Sequence, residues 1–150
     1  MKQLLLGAML CLTAATSAVA AEPTEKDAIA MTERGAAFVK AHGRDEMIKH
    51  IAAKDPDFVQ GSMYIYMRDL NSSLNIAHPF NPSIIGKDLN EVPDVNGKMY
   101  RRDIIDLARK SGKGWVDYMY KNPETGKVEP KTSYVLRVND VVLITGIYKK

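Results

Sequence analysis

Apolar residues after position 20 recur at helical spacing, which predicts that the folded domain begins with a long helix. One stripe has members three or four residues apart: Ala28, Met31, Gly35 and Phe38. Residues at this spacing share one face of a helix, so the stripe can bury against a sheet or against a partner. Thr24 can cap the start of this helix, and Gly43 suits its end. A second short helix is predicted over residues 45–53, before the breaker Pro56.

From Gly61 onward the pattern changes to runs rich in aromatic and β-branched residues, which predict strands. Residues 63–67 and 74–78 flank a group of turn-forming residues, so we predict that they pair as a hairpin. Residues 79–98 follow with several prolines and glycines and no periodicity. An ordered connection of this length is often functional.

The last third of the chain predicts one helix over residues 100–110 and three strands over residues 114–121, 131–138 and 141–148. Tight turns join most of the strands, which makes the sheet antiparallel. A single antiparallel sheet with helices packed on it is an α+β domain. The loop and helix inserted midway through the sheet place a pocket over one of its faces.

The N-terminus has the features of an export signal. Lys2 precedes an apolar run over residues 4–12, and Ala18 and Ala20 form a small-residue cleavage site. We predict a signal peptide over residues 1–20, cleaved after Ala20, and one mature domain over residues 21–150 in the periplasm or secreted. The apolar run is short for a bilayer span, which takes about 20 residues. An N-terminal anchor helix is the alternative.

Composition narrows the function of the mature domain. Cys11, the single cysteine, leaves with the leader, so the domain has no disulfide and no thiolate nucleophile. The formal net charge of +3 for the whole chain leaves no electrostatic footprint for nucleic acid. His42 and His50 lack a third ligand nearby in the sequence, so we expect no metal. We find no catalytic motif and no phosphate loop, and expect neither catalysis nor a cofactor.

Six short strings occur in a fixed order along the mature chain. They are Tyr64–Asp69, Ala77–Pro79, Ile85–Leu89, Gly114–Tyr118, Pro130–Tyr134 and Thr145–Tyr148. Together they resemble the single Cache domain, type 2, the extracytoplasmic sensor module of bacterial chemoreceptors and sensor kinases. The resemblance implies a long N-terminal helix packed on a PAS-like five-stranded antiparallel sheet. It also implies a pocket between the sheet and the inserted loop and helix, for small organic ligands that are often short carboxylates.

Members of that family usually continue into a transmembrane helix and a signalling domain. This sequence ends at Lys150, directly after the last predicted strand. We therefore expect a stand-alone sensor domain that signals through a separate partner or only holds its ligand.

A small carboxylate needs cations or polar hydrogens in a partly dry pocket, and tyrosines supply both donors and apolar walls. The residues that match are Tyr64, Tyr66, His78, Arg101, Trp115, Tyr118, Lys131 and Tyr134. They are our predicted ligand-binding residues.

Strand alternation divides this set, because neighbouring residues of a strand point to opposite faces. Trp115 and Tyr118 have opposite parity, and so do Lys131 and Tyr134. We favour Tyr118 and Tyr134 in the pocket and Trp115 in the core. Lys131 joins them only if it precedes the regular pairing or if a bulge intervenes.

The helix over residues 100–110 restricts its two arginines in a similar way. Arg101 and Arg102 point about 100° apart on the helix, so at most one faces inward, and we favour Arg101.

Two functions fit the sequence. The first is a non-catalytic periplasmic domain that binds a small organic molecule, a monocarboxylate above all. The second is a protein-interaction module that docks through the apolar stripe of its first helix, onto a second copy as a homodimer or onto a membrane receptor.

Overall fold

The computed structural model describes residues 20–149, so the predicted leader lies outside the described residues except for Ala20. The elements follow in the predicted order. They are α1 (Glu25–His42), α2 (Arg44–Ala52), β1 (Val59–Gln60), β2 (Met63–Asp69), β3 (Asn75–Ala77), a 3₁₀ turn (Pro82–Ile84), α3 (Tyr100–Ser111), β4 (Lys113–Lys121), β5 (Val128–Val138) and β6 (Val141–Tyr148). The predicted α+β class is confirmed.

All strands pair antiparallel in one sheet, in the order β1-β2-β6-β5-β4, with β3 also paired to β2. The sheet therefore has six strands rather than the predicted five. The additional strand is β1, whose two residues turn back at Gly61 and pair with the start of β2.

Helix α1 starts with a capping box, in which Asp27 N donates to Thr24 Oγ1 and Thr24 N donates to Asp27 Oδ2. The stripe that begins at Ala28 packs on the sheet as core. Gly35 lets the helix approach closely, because a Cβ there would lie 2.7 Å from Ile65 Cδ1. The stripe is thus used within the domain and is not free for docking onto a partner.

A polar contact also joins α1 to the sheet. Thr32 Oγ1 lies 2.7 Å from Ala28 O and 2.7 Å from Thr145 Oγ1, and both threonines are fully buried. The Thr32 hydroxyl has one hydrogen. If it donates to Ala28 O, the Thr145 hydroxyl donates to Thr32.

Replacing Thr32 by valine is expected to lower the free energy of unfolding by about 2 kcal/mol. The change keeps the shape of the side chain but leaves the buried Thr145 hydroxyl without its partner. Urea denaturation measures the difference. Thr32→Ser keeps the hydroxyl and is the matched control, so a loss as large in the serine variant would show that the hydrogen bond is not responsible.

The two faces of the sheet have different coverings. Helices α1 and α2 pack on one face, and α3 with the loop before it packs on the other. The structure thus has three layers, and the second face carries the predicted pocket. Within residues 20–149, no helix combines the length and apolar character needed to cross a membrane.

Candidate functional site

The sheet face under α3 carries most of the tyrosines of the chain. Alternation along β2 and β4 brings two tyrosines from each strand to this face, and β6 and α3 contribute one each. Of the seven tyrosines in the sequence, six lie here: Tyr64, Tyr66, Tyr100, Tyr118, Tyr120 and Tyr148. The site is therefore a layer of aromatic rings with hydroxyl groups at their rims.

An inner cavity lies between this layer and the segment that covers it. Its walls come from the sheet, from the loop after β3 and from the start of α3: Tyr66, Asn75, His78, Ile84, Tyr100, Arg101, Tyr118 and Tyr120. The free volume is about 10 Å³, which is room for about one water molecule. Tyr100 stacks flat on Tyr118 with ring centroids 4.1 Å apart, which fills the space between α3 and the sheet.

An outer cleft of about 400 Å³ adjoins the inner cavity. It runs between Phe80 and Asn81 on one side and the turn over residues 121–126 on the other. His78 and Tyr120 line both spaces, so this pair forms the wall between them. The cleft thus lies directly beside the inner cavity.

His78 is held as a neutral ring. Its Nδ1 accepts hydrogen bonds from the backbone nitrogens of Phe80 and Asn81, at 3.2 and 3.0 Å. The proton therefore sits on Nε2, which faces the Tyr120 hydroxyl at 3.4 Å. Burial, together with the charges of Lys131 and Arg101, lowers the pKa of His78 to about 3. His78 fixes the turn at Pro79 and also presents a donor to the site.

Lys131 is buried beside the cavity without a polar partner. Only 1% of its surface is exposed, and its Nζ finds no hydrogen-bond acceptor in the described part of the chain. The Nζ lies 4.0 Å from the ring centroid of Tyr64 and 4.9 Å from that of Tyr148. Burial lowers the pKa of Lys131 to about 7. Gly146 makes room for this side chain, because a Cβ there would overlap Lys131 Cε.

The tyrosine hydroxyls form a short chain. Tyr118 Oη lies 3.4 Å from Tyr66 Oη and 3.0 Å from Ser133 Oγ. Burial raises the pKa of Tyr66 to about 12 and raises that of Tyr118 well above its usual value. Both hydroxyls therefore stay protonated and can donate to a ligand.

The two neighbouring arginines of α3 take different positions. Arg101 lines the inner cavity, stacks over the Tyr100 ring and donates from Nη1 to Val92 O at 3.0 Å. Arg102 is exposed and pairs with Glu91 at 3.1 Å.

Arg68 supports the cavity walls from beside them, a role that the sequence reasoning missed. It is 1% exposed, and its guanidinium donates to Ser73 O, to Arg101 O and to Asn90 Oδ1. It thereby joins the turn after β2, the covering loop and α3. Alternation from Tyr64 and Tyr66 along the same strand could have found it, since Arg68 has the same parity.

Trp115 and Tyr134 lie on the other face of the sheet. Their rings are 5.3 Å apart, and Trp115 packs against the core under α1. The expectation that Tyr134 shares a pocket with Tyr118 is therefore wrong, and Lys131 takes the inward position on β5 instead. The reason is the register: Lys131 is directly opposite Tyr118, and directly paired residues point to the same face.

The structure thus brings together six of the eight predicted residues: Tyr64, Tyr66, His78, Arg101, Tyr118 and Lys131. Of the residues that line the inner cavity, the prediction omitted Asn75, Ile84, Tyr100 and Tyr120. It also omitted Tyr148, whose ring lies beside Lys131 Nζ, and the buried Arg68. Residues 20–149 hold no group of three acidic, histidine or cysteine side chains that could bind a metal.

The antiparallel sheet, its layer of tyrosines and the loop and helix that cover them define a ligand-sensing domain of the Cache type. Residues 29–150 match the family model described as Single Cache domain 2. The chain belongs to this family, whose members are extracytoplasmic sensor domains.

A known chemoreceptor is similar in sequence to part of this chain. The methyl-accepting chemotaxis protein McpP of Pseudomonas putida is 32% identical over 72 residues, which are 48% of this chain and 13% of that protein. This chain therefore corresponds to only a small part of that receptor.

Solved structures share the fold. A methyl-accepting chemotaxis protein from Vibrio parahaemolyticus superposes with a TM-score of 0.71 at 24% identity, over 82% of this chain and 86% of that one. The periplasmic sensor domain of a chemotaxis protein gives a TM-score of 0.62 at 27% identity, over 83% of this chain and 90% of that one. A Cache chemosensory domain, solved as the structural basis for carboxylic acid recognition, gives a TM-score of 0.64 at 22% identity. The superposition covers 83% of this chain and 88% of that one.

Proposed function

We propose that this chain is a non-catalytic periplasmic domain that senses a short carboxylate, bound between the sheet and α3. The observation that carries the proposal is the set of buried side-chain atoms without a partner. Within the described residues there are three such atoms, and all are nitrogen donors: Arg68 Nε, Asn75 Nδ2 and Lys131 Nζ. Asn75 lines the inner cavity, and Arg68 and Lys131 lie beside tyrosines that line it. Spare donors without a spare acceptor among the described residues suit a ligand rich in acceptor oxygens.

The charges around the cavity favour the same ligand class. Arg101 lines the inner cavity and Lys121 lines the outer cleft, and none of the described aspartates and glutamates lines either space. A cationic ligand would have no counter-charge there. A carboxylate would gain charge-assisted hydrogen bonds.

Size restricts the ligand further. The inner cavity holds about one water molecule, so a ligand enters only if Tyr100 or the covering loop moves outward. Small displacements suit an acid of two to four carbons better than a larger one. The Cache domain solved with carboxylic acid recognition supports this class of ligand by analogy.

The leader predicted over residues 1–20 fits this role, since it would export the domain to where such ligands are met. We propose that the mature domain starts at Ala21.

A thermal-shift screen tests the function with the mature protein. Acetate, propionate and butyrate are compared with acetamide, propionamide and butylamine at equal concentration and ionic strength. We expect the acids to raise the melting temperature and the amides and the amine to leave it unchanged, because stabilisation follows binding to the folded state.

Two variants locate the effect. Lys131→Met should lose the shift, and Lys127→Met, which removes an exposed lysine of the β4–β5 turn, should keep it. The proposal is wrong if no acid stabilises the natural protein, or if the amides stabilise it equally.

A further inference from the structure

The buried Lys131 amine has no ion-pair partner within residues 20–149. Lys131 borders a cleft that Asp94 and Asp117 line, but Asp117 pairs with Lys149 and Asp94 accepts hydrogen bonds from backbone nitrogens. Neutral aromatic rings surround the Lys131 amine from three strands, with Nζ 4.0 Å from the Tyr64 centroid on β2, 5.5 Å from Tyr120 on β4 and 4.9 Å from Tyr148 on β6. The loop after β3 contributes the neutral His78, and α3 contributes the cation Arg101. Among the described residues, an ammonium here finds neither an ion-pair partner nor a hydrogen-bond acceptor. These surroundings therefore favour the uncharged amine.

A bound carboxylate would reverse this preference. An anion beside Nζ supplies the missing counter-charge and acceptor, both of which stabilise the ammonium form. We propose that the site takes up a short carboxylate together with one proton from solvent, holding the pair as carboxylate and Lys131 ammonium. This inference rests on the proposed function.

No other group of the site can take this proton. The tyrosines are already protonated, and the guanidinium groups of Arg68 and Arg101 remain charged. His78 Nδ1 is occupied by two backbone donors, and the pKa of His78 is lowered to about 3. The pKa of Lys131, lowered to about 7 by burial, leaves most of its amines uncharged at pH 8.

The charge of the cavity is then the same before and after binding. The anion brings one negative charge, and the proton from solvent brings one positive charge to the amine. Expelling water from a closed aromatic cavity costs less for such a neutral pair than for an unpaired ion. Coupling to a proton thus explains how a closed site can accept a carboxylate without gaining net charge.

Isothermal titration calorimetry of propionate binding tests this coupling with the mature protein. At pH 8, titrations in phosphate and in Tris give different apparent enthalpies, and the difference counts the protons exchanged with the buffer. We expect uptake of close to one proton per propionate. We also expect the dissociation constant to rise about tenfold per pH unit above pH 7, since free propionate is fully ionised throughout this range.

Lys131→Arg provides the matched control, because arginine carries a permanent charge. If the variant binds propionate, it should do so without proton uptake and with a flat profile from pH 7 to pH 9. If the variant does not fold, the proton count and the pH dependence of propionate binding to the natural protein decide the proposal.

The two proposals fail in different ways. Propionate binding with no proton uptake and a flat pH profile overturns the coupling and leaves the sensing function intact. Absence of carboxylate binding at every pH overturns the function itself.

Discussion

Replacing Arg68 by methionine is expected to lower the free energy of unfolding by about 3 kcal/mol and to loosen the segment that covers the cavity. The guanidinium donates to oxygens of three separate segments, at Ser73, Asn90 and Arg101. Hydrogen bonds from a charged group contribute about 1.5–3 kcal/mol each. Part of that gain is offset by burying the charge, since no carboxylate within the described residues forms an ion pair with Arg68.

Urea denaturation measures the loss in free energy of unfolding, and amide hydrogen exchange over residues 86–99 measures the loosening of the covering segment. Exchange there should accelerate more than in α1, which Arg68 does not touch. Arg68→Lys keeps the charge but replaces the planar guanidinium, which donates from two nitrogens, with a single ammonium nitrogen. Its free energy of unfolding should therefore lie between those of the natural protein and of Arg68→Met. Arg102→Ala removes only an exposed ion pair and should change stability by less than about 0.5 kcal/mol. Equal losses for Arg68→Met and Arg102→Ala would contradict the assigned role.

The position of Arg68 also shows how far the sequence predicts this molecule. Helix and strand positions follow from local signals, such as the Thr24 capping box and the alternation through Tyr64 and Tyr66. What Arg68 binds is set by a loop and a helix that lie 22 and 33 residues further along the chain. Local patterns do not encode such contacts, so its role appears only once the chain is folded.

The choice between Lys131 and Tyr134 failed for a related reason. Parity alone showed that the two residues point to opposite faces, but it did not show which of them meets Tyr118. That depends on the β4–β5 register, and β5 begins at Val128, three residues before the predicted start. The closure of the inner cavity was likewise beyond the sequence, because it depends on Tyr100 stacking across from α3 onto the sheet.

Replacing Lys131 by methionine is expected to remove the pH dependence of stability between pH 7 and pH 9. Burial lowers the pKa of Lys131 to about 7, from 10.5 for an unperturbed lysine. Between these values the unfolded chain binds more protons than the folded one, so the free energy of unfolding of the natural protein rises with pH. The slope from this one group is about 1.4 kcal/mol per pH unit. Methionine has no proton to release and carries no such slope.

Urea denaturation of both proteins at pH 7, 8 and 9 measures this difference without any ligand. The methionine variant should be the more stable at pH 7, and its advantage should shrink by about 1.4 kcal/mol per pH unit. Lys127→Met, at an exposed position, should run parallel to the natural protein. If the stability of Lys131→Met changed with pH in parallel with that of the natural protein, the buried amine would not be the titrating group. If Lys131 serves the ligand, its removal stabilises the domain in the absence of carboxylate and abolishes the response to carboxylates. If Lys131 served the fold alone, its removal would destabilise the domain.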